Sequence, residues 1–355
     1  MLLVNDPGSW GHIYPPLRHA AWHGWTPTDL IFPFFLFIVG VTTHISLSAR
    51  RARGASEGEL ARQVFRRAAI IVLIGLLLSA FPFFPPDRVM HMRIPGVLQR
   101  IGVVYLVAGL LVLRTSVRTQ TAVVVLLLVG YWLLLALVPV PGVGPAVLAP
   151  PDATLAAWVD RLLLDGHLWD QTRTWDPEGP LSTLPAIATC LLGAAAGRWV
   201  TRPITLPERI NGLYAAAALG IVLGSVWNWV FPINKNLWSS SYVLFTAGIA
   251  AAALATCMWL IEERHSTWWT RPFIVFGVNP IVAFAGAEAM ARLIYSVINV
   301  PFRGDSVSLE TAIYRAGFAS WLPPELASLA FALAFVAFWY VVLDVLFRRR
   351  IILKI

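Results

Sequence analysis

The sequence consists of long apolar stretches separated by polar loops, and this alternation predicts its architecture. Crossing the hydrocarbon core of a bilayer takes roughly 20 predominantly apolar residues. Nine windows meet that requirement: Leu30 to Ala49, Arg67 to Phe84, Val97 to Leu113, Thr121 to Val138, Leu181 to Trp199, Ile210 to Val230, Ser240 to Ile261, Pro272 to Ile294 and Pro324 to Phe347. The strands of a membrane β-barrel are much shorter and alternate in polarity. The pattern therefore predicts an all-α, polytopic transmembrane helical bundle.

The N-terminus indicates one further helix. Met1 to Val4 has the composition of the last turn of a helix, but four residues cannot span a bilayer. No charged flank or cleavage site of a signal peptide accompanies it. We interpret this as a shortened start, and we expect about 9–10 membrane helices in the native chain. Residues 1–355 are expected to form a single membrane-embedded domain whose first helix is truncated.

Composition supports the membrane assignment and excludes an ordinary soluble domain. Hydrophobic residues make up 58% of the chain, against roughly 45–50% in soluble proteins. Charged residues make up 13%, and the mean hydropathy is +0.70. The net charge of +8 is accounted for by membrane topology and anionic lipid. We therefore expect the lipid bilayer as a partner and no nucleic acid.

The distribution of arginine predicts the orientation of the helices. Lys and Arg accumulate in the cytoplasmic loops of membrane proteins, and here alternate loops carry the cations: residues 50–67, 114–118, 198–209, 264–271 and 348–354. The opposite loops are rich in Trp, Pro and His, and His19 lies in one of them. We expect a multi-pass membrane protein with a cytoplasmic C-terminus and the His19 loop on the outer face.

The polar segment before the first apolar stretch contains the strongest candidates for chemistry. An imidazole such as His19 can act as a general base or as a nucleophile near neutral pH. Asp29 either caps the following helix or orients His19, and the two roles are compatible. Asn5 either stabilises an oxyanion or closes a turn with the Asp-Pro-Gly sequence that follows it.

Other polar residues carry weaker signals. Asp176 and Glu178 form a turn before a helix or hold a ligand on the outer face, whereas Glu288 and Arg292 lie four residues apart and can pair within the membrane. Gln99 and Arg100 are polar residues near the end of an otherwise apolar helix. Asn279 before Pro280 indicates an interrupted helix. There is no metal-ligand spacing such as H-E-x-x-H and no Gly-rich phosphate loop.

Several short motifs, in order, resemble one known family. They are Val4-Asn5, His19-Ala-Ala-Trp22 with Asp29-Leu30 and Phe32-Pro33, Gly96-Val-Leu-Gln-Arg-Ile101, Asp176-Pro-Glu-Gly179, Pro232-Ile-Asn-Lys-Asn-Leu-Trp238 and Gly277-Val-Asn279. Together they span nearly the whole chain. The sequence resembles the transmembrane heparan-alpha-glucosaminide N-acetyltransferase family and its bacterial relatives.

The resemblance implies acetyl transfer from cytosolic acetyl-CoA to the amine of an amino sugar or glycan fragment at the outer face. With bacterial relatives, the expected location is the bacterial inner membrane, with the His19 loop on the periplasmic side. No metal is expected, since no metal-ligand spacing is present. The family's active-site histidine matches His19 and a nearby asparagine matches Asn5. The expected catalytic residues are His19, Asn5 and Asp29. The expected substrate-binding residues are Asp176, Glu178, Asn234, Lys235 and Trp238. Gln99, Arg100, Asn279, Glu288 and Arg292 are expected to bind acetyl-CoA. Analogy alone suggests a homodimer.

A second function from a different class remains open at this point. Broken helices and charges within the membrane also suit a transporter for a sugar or a sugar-derived metabolite. No internal repeat of two halves is evident in the sequence. A purely structural envelope subunit is a third, weaker reading, against which the cluster of Asn5, His19 and Asp29 argues.

Overall fold

The computed structural model describes residues 1–353, and almost all of its regular structure is helical. The α-helices are α1 (Leu2–Asn5), α2 (Ile31–Ala52), α3 (Glu57–Ala80), α4 (Pro86–Met90), α5 (Val97–Arg114), α6 (Val117–Leu137), α7 (Leu155–Leu164), α8 (Pro180–Val200), α9 (Leu206–Trp227), α10 (Ser240–Met258), α11 (Arg271–Val278), α12 (Pro280–Arg292), α13 (Leu309–Gly317) and α14 (Pro324–Arg348). Two short antiparallel strands, β1 (Asn299–Phe302) and β2 (Asp305–Ser308), form a hairpin.

Nine of these helical segments, counted within residues 1–353, are long and apolar enough to cross a membrane. They are built on α2, α3, α5, α6, α8, α9, α10, α12 and α14, and each corresponds to one of the nine apolar windows. The predicted all-α membrane fold is confirmed. Because successive spans reverse direction, the bundle has a His19 end, where α2 begins, and an arginine-rich end, where α2 finishes at Ala52.

The limits predicted for the second span were wrong at both ends. Helix α3 begins at Glu57, about three turns before the predicted start, and ends at Ala80 rather than Phe84. A capping box explains the early start, since the Ser56 side chain accepts a hydrogen bond from the backbone N–H of Glu59 and the Glu59 carboxylate accepts one from that of Ser56. Apolar windows locate the membrane-embedded part of a helix, whereas capping residues decide where the helix begins.

The helix predicted over residues 272–294 is interrupted, as the Asn279-Pro280 pair indicates. Helix α11 ends at Val278 and α12 begins at Pro280, since proline has no N–H to continue the hydrogen-bond ladder. The Asn279 side chain donates to the carbonyl of Ile351 and accepts from the N–H of Leu353, at 3.0 and 2.9 Å. It therefore ties the chain segment after α14 to the break.

The central helices approach one another through small residues. A Cβ on Gly40 of α2 would lie 1.9 Å from the carbonyl oxygen of Cys190 in α8, and one on Gly193 would lie 2.0 Å from that of Phe37. Lipid tails are as apolar as the side chains, so the hydrophobic effect does not drive helices together within a membrane. Close van der Waals contact between backbones stabilises the helix pair instead. The α2–α8 pair thus forms a tightly packed centre of the bundle.

The largest buried cluster lies at the His19 end of this pair. It brings Phe32 and Leu36 of α2 against Ala186 of α8 and against Trp238 and Tyr242, which precede and begin α10. The indole of Trp238 meets the rings of Phe32 and Tyr242 edge to face, with centroids 5.0 and 5.4 Å apart. The cluster fixes the start of α2 relative to the loop before α10.

The close crossing of α2 and α8 makes a prediction about stability. In Gly40→Ala the added methyl group meets backbone atoms that cannot move aside, and we expect a loss of about 1–3 kcal/mol. Gly130→Ala is the matched control, because a Cβ there meets nothing within 4 Å. The measurement is the thermal unfolding midpoint in detergent. Equal midpoints for the two variants would contradict the packing described here.

Candidate active site

Asp29 is held in place by the turn that starts the first membrane span. Its carboxylate oxygen Oδ2 accepts hydrogen bonds from the backbone N–H groups of Thr26 and Ala20, both at 3.0 Å, and from the Thr26 hydroxyl at 3.2 Å. The Tyr242 hydroxyl donates to the backbone carbonyl of Asp29 at 2.5 Å. The side chain is 1% exposed. Asp29 is therefore a fixed, buried carboxylate.

His19 contacts this carboxylate with one ring nitrogen. Its Nδ1 lies 2.6 Å from Asp29 Oδ1. Because a carboxylate only accepts, Nδ1 carries the proton and the neutral ring has its lone pair on Nε2. The ring is 45% exposed. Asp29 thus caps its helix and orients His19 at once, and it leaves Nε2 available for proton transfer or nucleophilic attack.

Lys235 reaches the same imidazole from the loop before α10. Its Nζ lies 3.1 Å from His19 Nδ1, 3.3 Å from His19 Nε2 and 3.7 Å from Asp29 Oδ1. Burial lowers the pKa of Lys235, and the charges of Glu178 and Asp29 oppose that shift. The side-chain nitrogen of Lys235 thus lies beside the imidazole of His19, within reach of both ring nitrogens.

Asn234 builds the turn that aims Lys235. Its side-chain oxygen accepts from the N–H of Leu237 at 2.8 Å, and its backbone oxygen accepts from that of Ser239. Its Nδ2 lies 3.4 Å from Nδ1 of His23, whose pKa is lowered by burial. Asn234 has no exposed surface. In this conformation it holds the loop, and its role in binding a substrate stays a prediction.

The predicted acidic pair is bridged by an arginine. Nε of Arg93 donates to Asp176 at 2.7 Å, Nη2 donates to Asp176 at 2.5 Å, and Nη2 also contacts Glu178. Burial acts to raise the pKa of Glu178, but Arg93, Arg100 and Lys235 hold it below its usual value. A role for Asp176 and Glu178 in binding an amino sugar remains a prediction, and both carboxylates are occupied in this conformation.

Arg100 and Trp238 form a buried layer beneath the site. The Arg100 guanidinium lies 5.1 Å from the centroid of the Trp238 ring, and its Nη2 donates to Gly179 O at 3.2 Å and contacts Ser182. Trp238 adopts the left-handed backbone region with φ of +51°, and its indole N–H donates to Thr189. At 1% exposure, Trp238 supports the site from below.

A second group of predicted residues lines a separate cavity of about 190 Å³ at the His19 end. Its lining includes Asn5, Gln99, Glu288, Arg292 and Arg93. Glu288 and Arg292 pair at 3.3 Å as their spacing predicts. Asn5 therefore lies with the residues expected to bind acetyl-CoA and not beside His19. Asn279, by contrast, lies towards the arginine-rich end with Ile351.

Sequence reasoning missed two residues of the site. Arg93 links the acidic pair to the 190 Å³ cavity. The available signal was an arginine in a loop that the positive-inside rule predicts to face outward. Asp160 of α7 accepts from the backbone N–H of Asp176 at 2.9 Å, and its other oxygen is buried without a partner. Burial, together with the Asp176 charge, raises the pKa of Asp160 to about 7.

The arrangement is that of an acid–base centre without a metal cluster. Within residues 1–353, no group of three or more His, Cys, Asp or Glu side chains is placed to hold a metal ion. What the site offers instead is a histidine oriented by a buried carboxylate and flanked by an ammonium. Together these groups can move a proton and stabilise a developing negative charge.

Comparison with known proteins identifies the family. Residues 4–223 match the family model described as heparan-alpha-glucosaminide N-acetyltransferase, catalytic. This match includes His19, Asp29, Arg100 and the acidic pair. The chain belongs to this family.

Two relatives extend the similarity beyond the matched region. The heparan-alpha-glucosaminide N-acetyltransferase of Homo sapiens is 31% identical, over 81% of this chain and 50% of the relative. That of Mus musculus is 31% identical, over 82% of this chain and 51% of the relative. The chain thus spans about half the length of the curated relatives that it matches. The family resemblance derived from the motifs is confirmed.

The buried carboxyl group of Asp160 predicts a pH-dependent stability. A raised pKa means that the folded state retains a proton that the unfolded chain releases, so this contribution is present at low pH and is lost as pH rises from about 4 through about 7. We expect the wild-type melting temperature to fall relative to that of Asp160→Asn over this interval. The full effect is about 4 kcal/mol at most. A difference between the two proteins that does not change with pH would contradict it.

Proposed function

We propose that this protein is a transmembrane acetyltransferase that moves an acetyl group from acetyl-CoA to the amine of an amino sugar. The observation that carries the proposal is the His19–Asp29 pair at the mouth of a membrane helix, in a chain of this family. A carboxylate-oriented imidazole is suited to acyl transfer, because Nε2 can accept the amine proton or attack the thioester carbonyl. Both routes remain part of the proposal.

A cavity at the arginine-rich end supports a donor that carries several phosphates. It has a volume of about 300 Å³, and its lining includes Arg50, Gln63, Arg67 and Tyr105. The Arg67 guanidinium lies 5.1 Å from the centroid of the Tyr105 ring. Guanidinium groups match phosphate oxygens in geometry and charge. In our proposal the nucleotide part of CoA binds here, on the cytoplasmic side.

The distance between this cavity and His19 favours an elongated donor. Thr43 marks the part of the cavity lining nearest to Asp29 along α2, and the two residues are separated by about 21 Å at 1.5 Å per residue. CoA carries its phosphates at one end and its thioester at the other. Only the acetyl group would then have to pass to the His19 end, where we place the acceptor on the periplasmic side of a bacterial inner membrane.

The acceptor proposal rests on chemistry and on the relatives' names. Those names specify a glucosaminide as the acceptor of those proteins. For this chain we propose an amino sugar or a glycan fragment bearing a free amine. The open face of the His19 ring lies where such an amine can approach Nε2.

Loss of the imidazole is the direct test of this function. We expect His19→Ala to lower amine-dependent release of free CoA from acetyl-CoA by about 10²–10⁴-fold, because the general base or acetyl carrier is gone. His12→Ala is the matched control, since His12 lies in the same segment and its closest acidic oxygen, on Glu325, is 3.9 Å away. The assay uses purified protein with glucosamine as acceptor. If wild type releases no CoA, or if His19→Ala releases CoA at the wild-type rate, the proposal is rejected and the transporter is favoured.

The donor cavity makes a separate prediction. We expect Arg67→Ala to raise the KM for acetyl-CoA about tenfold while kcat changes little, since the lost contact binds donor and transition state alike. The exposed Arg118→Ala, at the start of α6 on the same end of the bundle, is the control. A fall in kcat with unchanged KM for Arg67→Ala would place the donor elsewhere.

A further inference from the structure

Lys235 is an unusual residue for this chain. Among the 27 basic residues only Lys235 and Lys354 are lysines, and all the others are arginines. Lysine presents a compact point charge with rotatable donors, whereas arginine presents a planar fork. Within the described residues 1–353, the chain therefore places its one compact cation against the imidazole of His19.

The position of the ammonium leaves Nε2 free to react. Nζ is almost equidistant from the two ring nitrogens of His19, at 3.1 and 3.3 Å. A group at nearly equal distances from both nitrogens lies beside the ring and not along the lone pair of either one. A reactant approaching Nε2 along that lone pair would bring its own polar atoms next to Nζ.

The hydrogen-bonding capacity of Asp29 is largely met without Lys235, although the ammonium also contributes its charge. Asp29 Oδ1 already meets His19, and Oδ2 already accepts from Ala20 and Thr26. Within residues 1–353, Asp29 Oδ1 is the one carboxylate oxygen within 4.0 Å of Nζ, and it lies 3.7 Å away. An ammonium has three donors, and the Lys235 side chain is only 18% exposed. Its donors are thus directed at the reaction centre with little competition from water.

We propose that the Lys235 ammonium binds the carbonyl oxygen of the acetyl group and stabilises the negative charge that develops on it during transfer at His19. This inference rests on the acetyltransferase function proposed above. It gives Lys235, and not Asn5, the oxyanion-binding role, which was one of the two roles that the sequence left open for the asparagine, since Asn5 lines a different cavity. Lys235 also lies outside the region matched by the family model, residues 4–223.

The step balances without a further reagent. The amine nitrogen of the acceptor bonds to the thioester carbon while Nε2 of His19 takes a proton from that nitrogen. The carbonyl π electrons move to oxygen, and Lys235 donates a hydrogen bond to the resulting oxyanion. When the carbonyl re-forms, the carbon–sulfur bond breaks and the sulfur takes the proton from the imidazolium. If Nε2 itself attacks the thioester carbon first, the carbon–sulfur bond breaks and CoA leaves as the thiolate. The amine then attacks the acetyl carbon, the bond to Nε2 breaks, and the freed Nε2 takes the amine proton and passes it to the thiolate. An oxyanion forms on the acetyl oxygen in each step.

Several charged groups surround Lys235 and set its protonation. His19 and Asp29 face it from the segment before α2, Glu178 acts from the loop before α8, and Arg100 acts from α5. Burial is the largest effect and lowers the pKa of Lys235. The ammonium therefore loses its proton at a lower pH than a free lysine, for which the pKa is roughly 10.4. Activity that needs the charged form must decline as pH rises through this pKa.

The test compares Lys235→Met and Lys235→Arg with wild type and His19→Ala, using acetyl-CoA and glucosamine. We expect Lys235→Met to lower kcat by about 10²–10³-fold, the usual loss for one oxyanion donor, with little change in the KM for acetyl-CoA. Lys235→Arg keeps a positive charge at high pH, so we expect partial activity whose alkaline decline moves to higher pH. Melting temperatures of both variants check folding.

The outcomes separate this inference from the proposed function. Unchanged kcat in Lys235→Met, or an alkaline decline in Lys235→Arg identical to that of wild type, would overturn the role of Lys235 while His19→Ala still tests the acetyltransferase. Wild-type protein without acetyl transfer, or with transfer indifferent to His19→Ala, would reject the function and this inference with it. A raised KM with unchanged kcat for Lys235→Met would indicate a role in substrate binding, and it would also contradict the role in the transition state.

Discussion

The buried carboxylate of Asp29 is the constraint on which the candidate site depends. A carboxylate that is 1% exposed at the rim of a membrane helix is costly unless donors surround it. Here Thr26, Ala20 and His19 supply those donors, and Tyr242 anchors the backbone at the same residue. Satisfying this single charge fixes the start of α2, the path of the preceding loop and the tautomer of the imidazole.

The membrane explains why the site lies at a helix end. In the hydrocarbon region backbone groups must be satisfied within helices, so irregular loops collect at the two ends of the bundle. Close contacts at Gly40 and Gly193 hold the middle parts of α2 and α8 together. The turn at Asn234 then delivers Lys235 to His19. Rigid helices thus carry three loops whose side chains meet.

A paired network stabilises the rest of this end of the bundle. Arg93 bridges Asp176 and Glu178, and Arg100 stacks on Trp238 beneath the loop. These groups act on Lys235 through charge and hold the loops by direct contact. The sequence predicted Asp176 and Glu178 to bind substrate. In this conformation they help to position the neighbouring loops, and the charge of Glu178 opposes the lowering of the Lys235 pKa by burial.

The sequence alone determined the membrane fold, the nine spans and the family, and it marked His19 and Asp29 as candidates. Apolar length and the spacing of local motifs carry that information, because a span and a cap are set by nearby residues. Only the tertiary structure decided that Asn5 lies apart from His19, that Arg93 binds the acidic pair and that Lys235 touches the imidazole. His19 and Lys235 are more than 200 residues apart in the chain. Their contact depends on how α2, α8 and α10 pack, and no local pattern encodes that packing.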